Sequence, residues 1–89
     1  MLQRSVLVKN RRGLHARAAA KFVTLAEQYA AEVDVVRDGQ SVSARSIMGL
    51  MMLGAGKGAT LDLHATGNEA EAAIEALAGL VEAGFHESD

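Results

Sequence analysis

Three observations predict an α+β two-layer, open-faced sandwich. Four short segments alternate apolar and polar residues at the two-residue period of a half-buried strand. Two longer segments place apolar residues at the i, i+3, i+4, i+7 spacing of a helix with one buried face. An Asp38-Gly39 pair, a strong two-residue hairpin signal, separates two of the alternating segments. Half-buried strands beside one-faced helices imply an antiparallel sheet covered on one side. The expected order is β-α-β-β-α-β-α: a four-stranded antiparallel sheet with three helices on one face, as a single domain over residues 1–89.

The elements follow in order along the chain. Val6 and Val8 alternate with Ser5, Leu7 and Lys9, a strand from about Gln3 to Lys9. Asn10-Arg11-Arg12-Gly13 is a loop. The alanine-rich run from Ala16 to about Tyr29 is helical, with Ala19, Phe22, Val23, Ala26 and Ala30 on one face. Val33 and Val35 mark the second strand, and Gln40 to Ala44 returns as the third. Ser46 can N-cap a short helix from Ile47 to about Leu53, which Gly54-Ala55-Gly56-Lys57-Gly58 ends. Leu61, Leu63 and Ala65 alternate with Asp62, His64 and Thr66 in the fourth strand. Asn68 with Glu71 resembles a capping box ahead of the stripe Ala70, Ala73, Ile74, Leu77, Leu80 and Val81. Gly84 is a natural stop, and the tail from His86 to Asp89 is expected to fray.

Composition narrows the function. The chain has 89 residues and no cysteine, so neither disulfides nor thiolate metal ligands contribute. A domain of this size buries only about 60–65% of its unfolded surface, so modest stability is expected. No apolar run approaches the roughly 20 residues of a membrane span. The opening Met1-Leu2-Gln3-Arg4-Ser5 leads into an alternating segment and not into a signal peptide, so a cytoplasmic location is expected, without membrane insertion. The net charge of −2 argues against general nucleic-acid binding. Charge is polarised, however. Six of the nine Lys and Arg residues (Arg4, Lys9, Arg11, Arg12, Arg17, Lys21) precede the first of the eleven acids, Glu27. Such a basic third attracts anionic ligands or acidic partner surfaces.

Within that third, Gly13-Leu14-His15-Ala16-Arg17 places a histidine at the start of a helix, two residues before an arginine. A helix start offers free N–H groups and a positive dipole end, so it binds anions. A histidine there can take a phosphoryl group, whose N–P bond is labile enough for onward transfer. The attacking imidazole must be neutral, a form open to histidine side chains at cell pH. The backbone amides of Ala16 and Arg17 can bind phosphoryl oxygens, and the Arg17 guanidinium adds a permanent charge and a planar fork. Arg11 and Arg12 fit a solvated or steering role better than a catalytic one. A lone histidine beside a loop is more often an ordinary surface residue, so this motif needs a second one beside it.

That second motif is Arg45-Ser46-Ile47-Met48-Gly49-Leu50-Met51, followed by Gly54-Ala55-Gly56-Lys57-Gly58. Together with Gly13-Leu14-His15-Ala16-Arg17, at this spacing and over the whole chain, it resembles the HPr family. These are the histidine-containing phosphocarriers of the bacterial phosphoenolpyruvate-dependent phosphotransferase system, including a nitrogen-related branch, NPr. The resemblance implies that His15 carries the phosphoryl group on Nδ1, as a pros-phosphohistidine, with Arg17 assisting. It implies enzyme I as donor and enzyme IIA proteins as acceptors, with no cofactor or metal, in a carrier that is a transfer intermediate and not an enzyme. A monomer is expected. One departure stands out: Ala18 stands where the family usually has proline. Alanine keeps the helix but loses pre-organisation worth about 0.4–1 kcal/mol, and the branch stays open.

Ser46 carries two compatible readings. As an N-cap it is worth about 1 kcal/mol. The resemblance adds regulation, because in some bacteria an ATP-dependent HPr kinase/phosphorylase modifies this serine. A phosphate there would set about −1.5 to −2 charge beside an apolar surface. Ile47, Met48, Gly49, Met51 and Met52 belong to a run that is apolar nearly all round, so part of it faces solvent as a partner surface and part joins the core. Gly49 is expected to permit a close approach.

The remaining motifs are weak. Gly54 to Ala59 fits G-x-G-x-x-A but follows a helix and precedes a strand, the reverse of a dinucleotide site. His64 and His86 are expected to be ordinary surface histidines, and the three histidines lack metal-ligand spacing. Two function classes remain: a phosphocarrier acting through His15, and a regulatory binding module acting through the Ser46 helix. Only Phe22, Tyr29 and Phe85 are aromatic, which disfavours RNA binding.

Overall fold

The computed structural model describes residues 1–87. Its elements are β1 (Leu2–Leu7), α1 (Ala16–Ala26), β2 (Glu32–Arg37), β3 (Gln40–Ser43), α2 (Ile47–Met52), β4 (Thr60–Thr66) and α3 (Ala70–Glu82), followed by a short turn, Gly84–His86. The four strands form one sheet in the order β1-β4-β2-β3, and every pairing is antiparallel. The three helices cover one face; the other stays open. This is the predicted fold class and element order.

Register explains why the alternation was readable. Val6 pairs with Leu61 and Val35 with Leu63, and these four side chains are buried on the helix-covered face. Val6, Val35, Leu61, Leu63 and Ala65 are buried there against Phe22, Ile74, Leu77, Val81 and Phe85. Fully burying each large apolar side chain contributes about 1.5–3 kcal/mol. Asp38 and Gly39 both have positive φ, 50° and 81°, as a two-residue hairpin turn that matches sheet twist requires. Arg4 ties β1, at one edge, to α3 through Glu75 (2.6 Å) and Glu82 (3.6 Å).

Element ends depart from expectation where side chains or tertiary contacts compete. α1 stops at Ala26, not near Tyr29, because Gln28 and Tyr29 donate to the carbonyls three residues back, Leu25 and Ala26. Ala30 therefore leaves the helix face and is exposed. Its amide is taken by the Glu69 carboxylate at 2.6 Å. The capping box at Asn68 does not form: the N-cap of α3 is Glu69, without a side-chain cap hydrogen bond. β1 ends at Leu7, although Val8 still donates to Ala59 and accepts from Gly58, both at 2.8 Å.

The tail also differs from expectation. Gly84 ends α3 with φ 64°, and Phe85 and His86 keep positive φ, 56° and 59°. This left-handed turn drives Phe85 into the core, where it is fully buried. Glu87 is half-buried, so the chain is not frayed at His86 and Glu87. Ser88 and Asp89 lie outside the described residues.

Candidate functional site

Two loops build the site. Gly13, φ 64°, comes so close to the 54–58 loop that a Cβ there would lie 2.2 Å from the Ala55 carbonyl oxygen. Leu14 donates to the same oxygen at 2.9 Å. On the inner side, Asn10 is almost fully buried, and its Nδ2 donates to the Gly13 carbonyl at 2.8 Å. The chain is thus fixed on both sides of Gly13 just before α1 begins.

His15 is the N-cap of α1, with extended backbone (φ −75°, ψ 177°). Its Nδ1 accepts from the Arg17 backbone N–H at 3.3 Å. Its Nε2 contacts the Glu87 carboxylate. A carboxylate only accepts and an amide N–H only donates. A neutral ring therefore carries its proton on Nε2 and turns the Nδ1 lone pair toward the helix start. The ring side chain is 22% exposed, sheltered yet reachable.

Around the ring the charges are graded. Arg17, the second residue of α1, is exposed. Its amide now faces Nδ1, and the Ala16 amide belongs to the same helix start. Lys21, one turn on, donates to the Phe85 carbonyl at 2.7 Å. The Glu87 carboxyl is held below the usual carboxylate range, first by the hydrogen bond from Asn10 Nδ2 (2.9 Å), then by His15 and Lys21, against the opposing effect of burial. Arg11 and Arg12 are exposed on the loop before Gly13.

Ser46 sits at the N-cap of α2, and its Oγ accepts from the Gly49 N–H at 2.9 Å. α2 divides as a short apolar helix must. Leu50 is fully buried, while Ile47, Met48, Met51 and Met52 are exposed at 40, 69, 40 and 75%. Gly49 lies apart from that exposed set. A Cβ on it would stand 3.0 Å from Ser46 Oγ and 3.1 Å from the Val42 side chain, so it serves the close approach of α2 to β3. α1 and α2 pack together, and the loop that follows α2 meets the start of α1 where Gly13 and Leu14 approach Ala55.

His64 is remote, half-buried on the open sheet face opposite Asp34. His86 is exposed and borders a shallow groove with Arg17, Lys21 and Leu80. Among the described residues no group of His, Asp and Glu could hold a metal ion, and no helix is long and apolar enough to cross a membrane. Sequence reasoning missed Asn10 and Glu87. For Asn10 the signal was an asparagine three residues before a loop glycine, an Asx-type turn. For Glu87 it was only the aromatic Phe85 just past a helix stop, which can anchor a tail.

The site thus joins a histidine capping one helix start and a serine capping a second, largely apolar helix on an open-faced sandwich. Residues 2–83 match the family model described as "PTS HPr component phosphorylation site". The chain is 44% identical to the phosphocarrier protein NPr of Shewanella violacea over 87 residues, 98% of this chain and 96% of that protein. It is also 44% identical to the phosphocarrier protein HPr of Cupriavidus necator, over the whole of both chains. The crystal structure of HPr from Thermoanaerobacter tengcongensis superposes with a TM-score of 0.94 at 42% identity, covering all of both chains. The chain belongs to the HPr family of phosphocarrier proteins of the phosphotransferase system.

Proposed function

We propose that this chain accepts a phosphoryl group on His15 Nδ1 from phosphorylated enzyme I and passes it to an enzyme IIA-type acceptor. The observation that carries this reading is the His15 ring at the N-cap of α1, with Nδ1 directed at the helix amides. A phosphoryl group on Nδ1 would enter the region where amides and helix dipole favour an anion. The Arg17 amide would turn from the ring nitrogen to a phosphoryl oxygen, and the Arg17 guanidinium would close from outside. Phosphoryl transfer needs little more than such positioning and charge stabilisation. Residues 1–89 act as one cytoplasmic, monomeric phosphocarrier domain. Ile47, Met48, Met51 and Met52 form the docking face, and phosphorylation of Ser46 by a kinase would weaken it.

The nitrogen branch is a specific second reading, since an NPr and an HPr relative match equally at 44% identity. Intact-mass measurement after incubation with enzyme I and phosphoenolpyruvate tests the main reading. The wild type gains one acid-labile phosphoryl group and His15→Ala gains none. The same adduct on His15→Ala would remove His15 from the proposal. Running sugar-branch and nitrogen-branch acceptors side by side separates the two readings.

A further inference from the structure

We propose that Glu87, held in place by Asn10, is a positioning residue for His15: it keeps the ring proton on Nε2 and balances the positive charge that grows on the ring as Nδ1 bonds phosphorus. This inference rests on the phosphotransfer reading above. Three observations lead to it. The Glu87 carboxylate engages both partners at once, Oε2 on His15 Nε2 and Oε1 accepting from Asn10 Nδ2 at 2.9 Å. Asn10 is itself 3% exposed, and its other donor contact, to Gly13, fixes its orientation. Glu87 follows two residues in the left-handed region, Phe85 and His86, with φ 56° and 59°. Left-handed conformations of this kind are unfavourable for side chains with a Cβ and persist where the surroundings over-determine them.

The chemistry gives the carboxylate a task. A neutral imidazole attacks with its Nδ1 lone pair. As the Nδ1–P bond forms, the bond from phosphorus to the donor breaks, and its electron pair returns to the donor. The Nε2 proton stays on the ring, so the ring becomes cationic while the new bond forms. The helix start that welcomes the phosphoryl oxygens opposes this cation. A carboxylate on Nε2 offsets that opposition, the role a carboxylate plays behind the histidine of a hydrolase triad. In onward transfer the Nδ1–P electron pair returns to Nδ1 and the ring is neutral again, so one contact serves both directions. Fixing the tautomer through the second nitrogen is also how ligating histidines are oriented by carboxylates elsewhere.

The test uses the full chain with ¹⁵N-labelled histidine, and adds rapid-quench transfer from enzyme I and phosphoenolpyruvate. In the wild type the His15 nitrogens give a single tautomer, protonated at Nε2. Glu87→Ala should give a mixture of tautomers and transfer roughly 10-fold more slowly, with the amide spectrum of the sheet and helices unchanged. Glu87→Gln can still accept from Nε2 but carries no charge, so it should keep the single tautomer and lose rate. Wild-type tautomer and rate in Glu87→Ala would overturn the proposal, as would a full rate in Glu87→Gln. Should the wild type itself take no phosphate, the phosphotransfer reading fails, while the ring signals still decide whether Glu87 orients His15.

Discussion

His15 and Arg17 show what a single residue's place in a helix does to its chemistry. The place of His15 at the start of α1 was legible in the sequence because the glycine before it, the basic surroundings and the arginine two residues on are all local. Its neighbour Glu87 was not, because 72 positions separate it from the ring and tertiary structure alone brings them together. Arg17 is the next residue to test. Its guanidinium is exposed, and charge spreading over the phosphoryl oxygens in transfer asks for a planar fork that lysine cannot supply. Arg17→Lys should slow transfer about 10- to 100-fold without lowering Tm, measured by rapid quench with enzyme I and an acceptor. A wild-type rate would leave the backbone amides as the sole anion contacts.

At the scale of elements, α1 and α2 were readable by type and less so by their ends. Ser46 as N-cap of α2 followed from the sequence, since a serine before an apolar run has few other roles. The end of α1 did not, because its last turn tightens, with Gln28 and Tyr29 donating three residues back to Leu25 and Ala26, while the next amide, of Ala30, is taken by Glu69, far along the chain. The failed cap at Asn68 has the same source, for Glu69 rather than Asn68 occupies the N-cap. The Ser46 cap and the exposed face of α2 make distinct predictions. Ser46→Ala removes the Oγ contact to Gly49 and should cost about 1 kcal/mol, read as a lower Tm with enzyme I affinity nearly unchanged. Ser46→Asp can still cap and sits favourably at the helix start. It sets a charge beside Met48 and Met51 that is costly to desolvate in a complex. It should keep Tm and weaken binding, as should Met48→Glu. Binding at wild-type strength by both variants would place docking on another surface.

On the scale of the whole molecule, the fold was the most legible property, because one alternating pattern per strand and one stripe per helix leave little choice of layers. What alternation cannot show is how the core steers the site. Phe22 and Phe85 are both fully buried, yet they stand in different relations to His15. Phe22 lies within α1, behind the helix. Phe85 holds the left-handed turn that delivers Glu87, and its carbonyl accepts from Lys21 at 2.7 Å. A domain of this length has only about 4–13 kcal/mol of stability at 0.05–0.15 kcal/mol per residue. Truncation of either ring to alanine, at about 3–5 kcal/mol, could unfold it. Leucine is the better probe, costing about 1–2 kcal/mol. Each kcal/mol lowers Tm by about 4–8 °C in a domain of this size. Phe22→Leu and Phe85→Leu should therefore fall in Tm alike. Only Phe85→Leu should mix the His15 tautomers and slow transfer from enzyme I, because only there is the carboxylate released. Equal effects of the two variants on the ring would mean that Glu87 stays at His15 without its aromatic anchor, and that the core acts on the site through general stability alone.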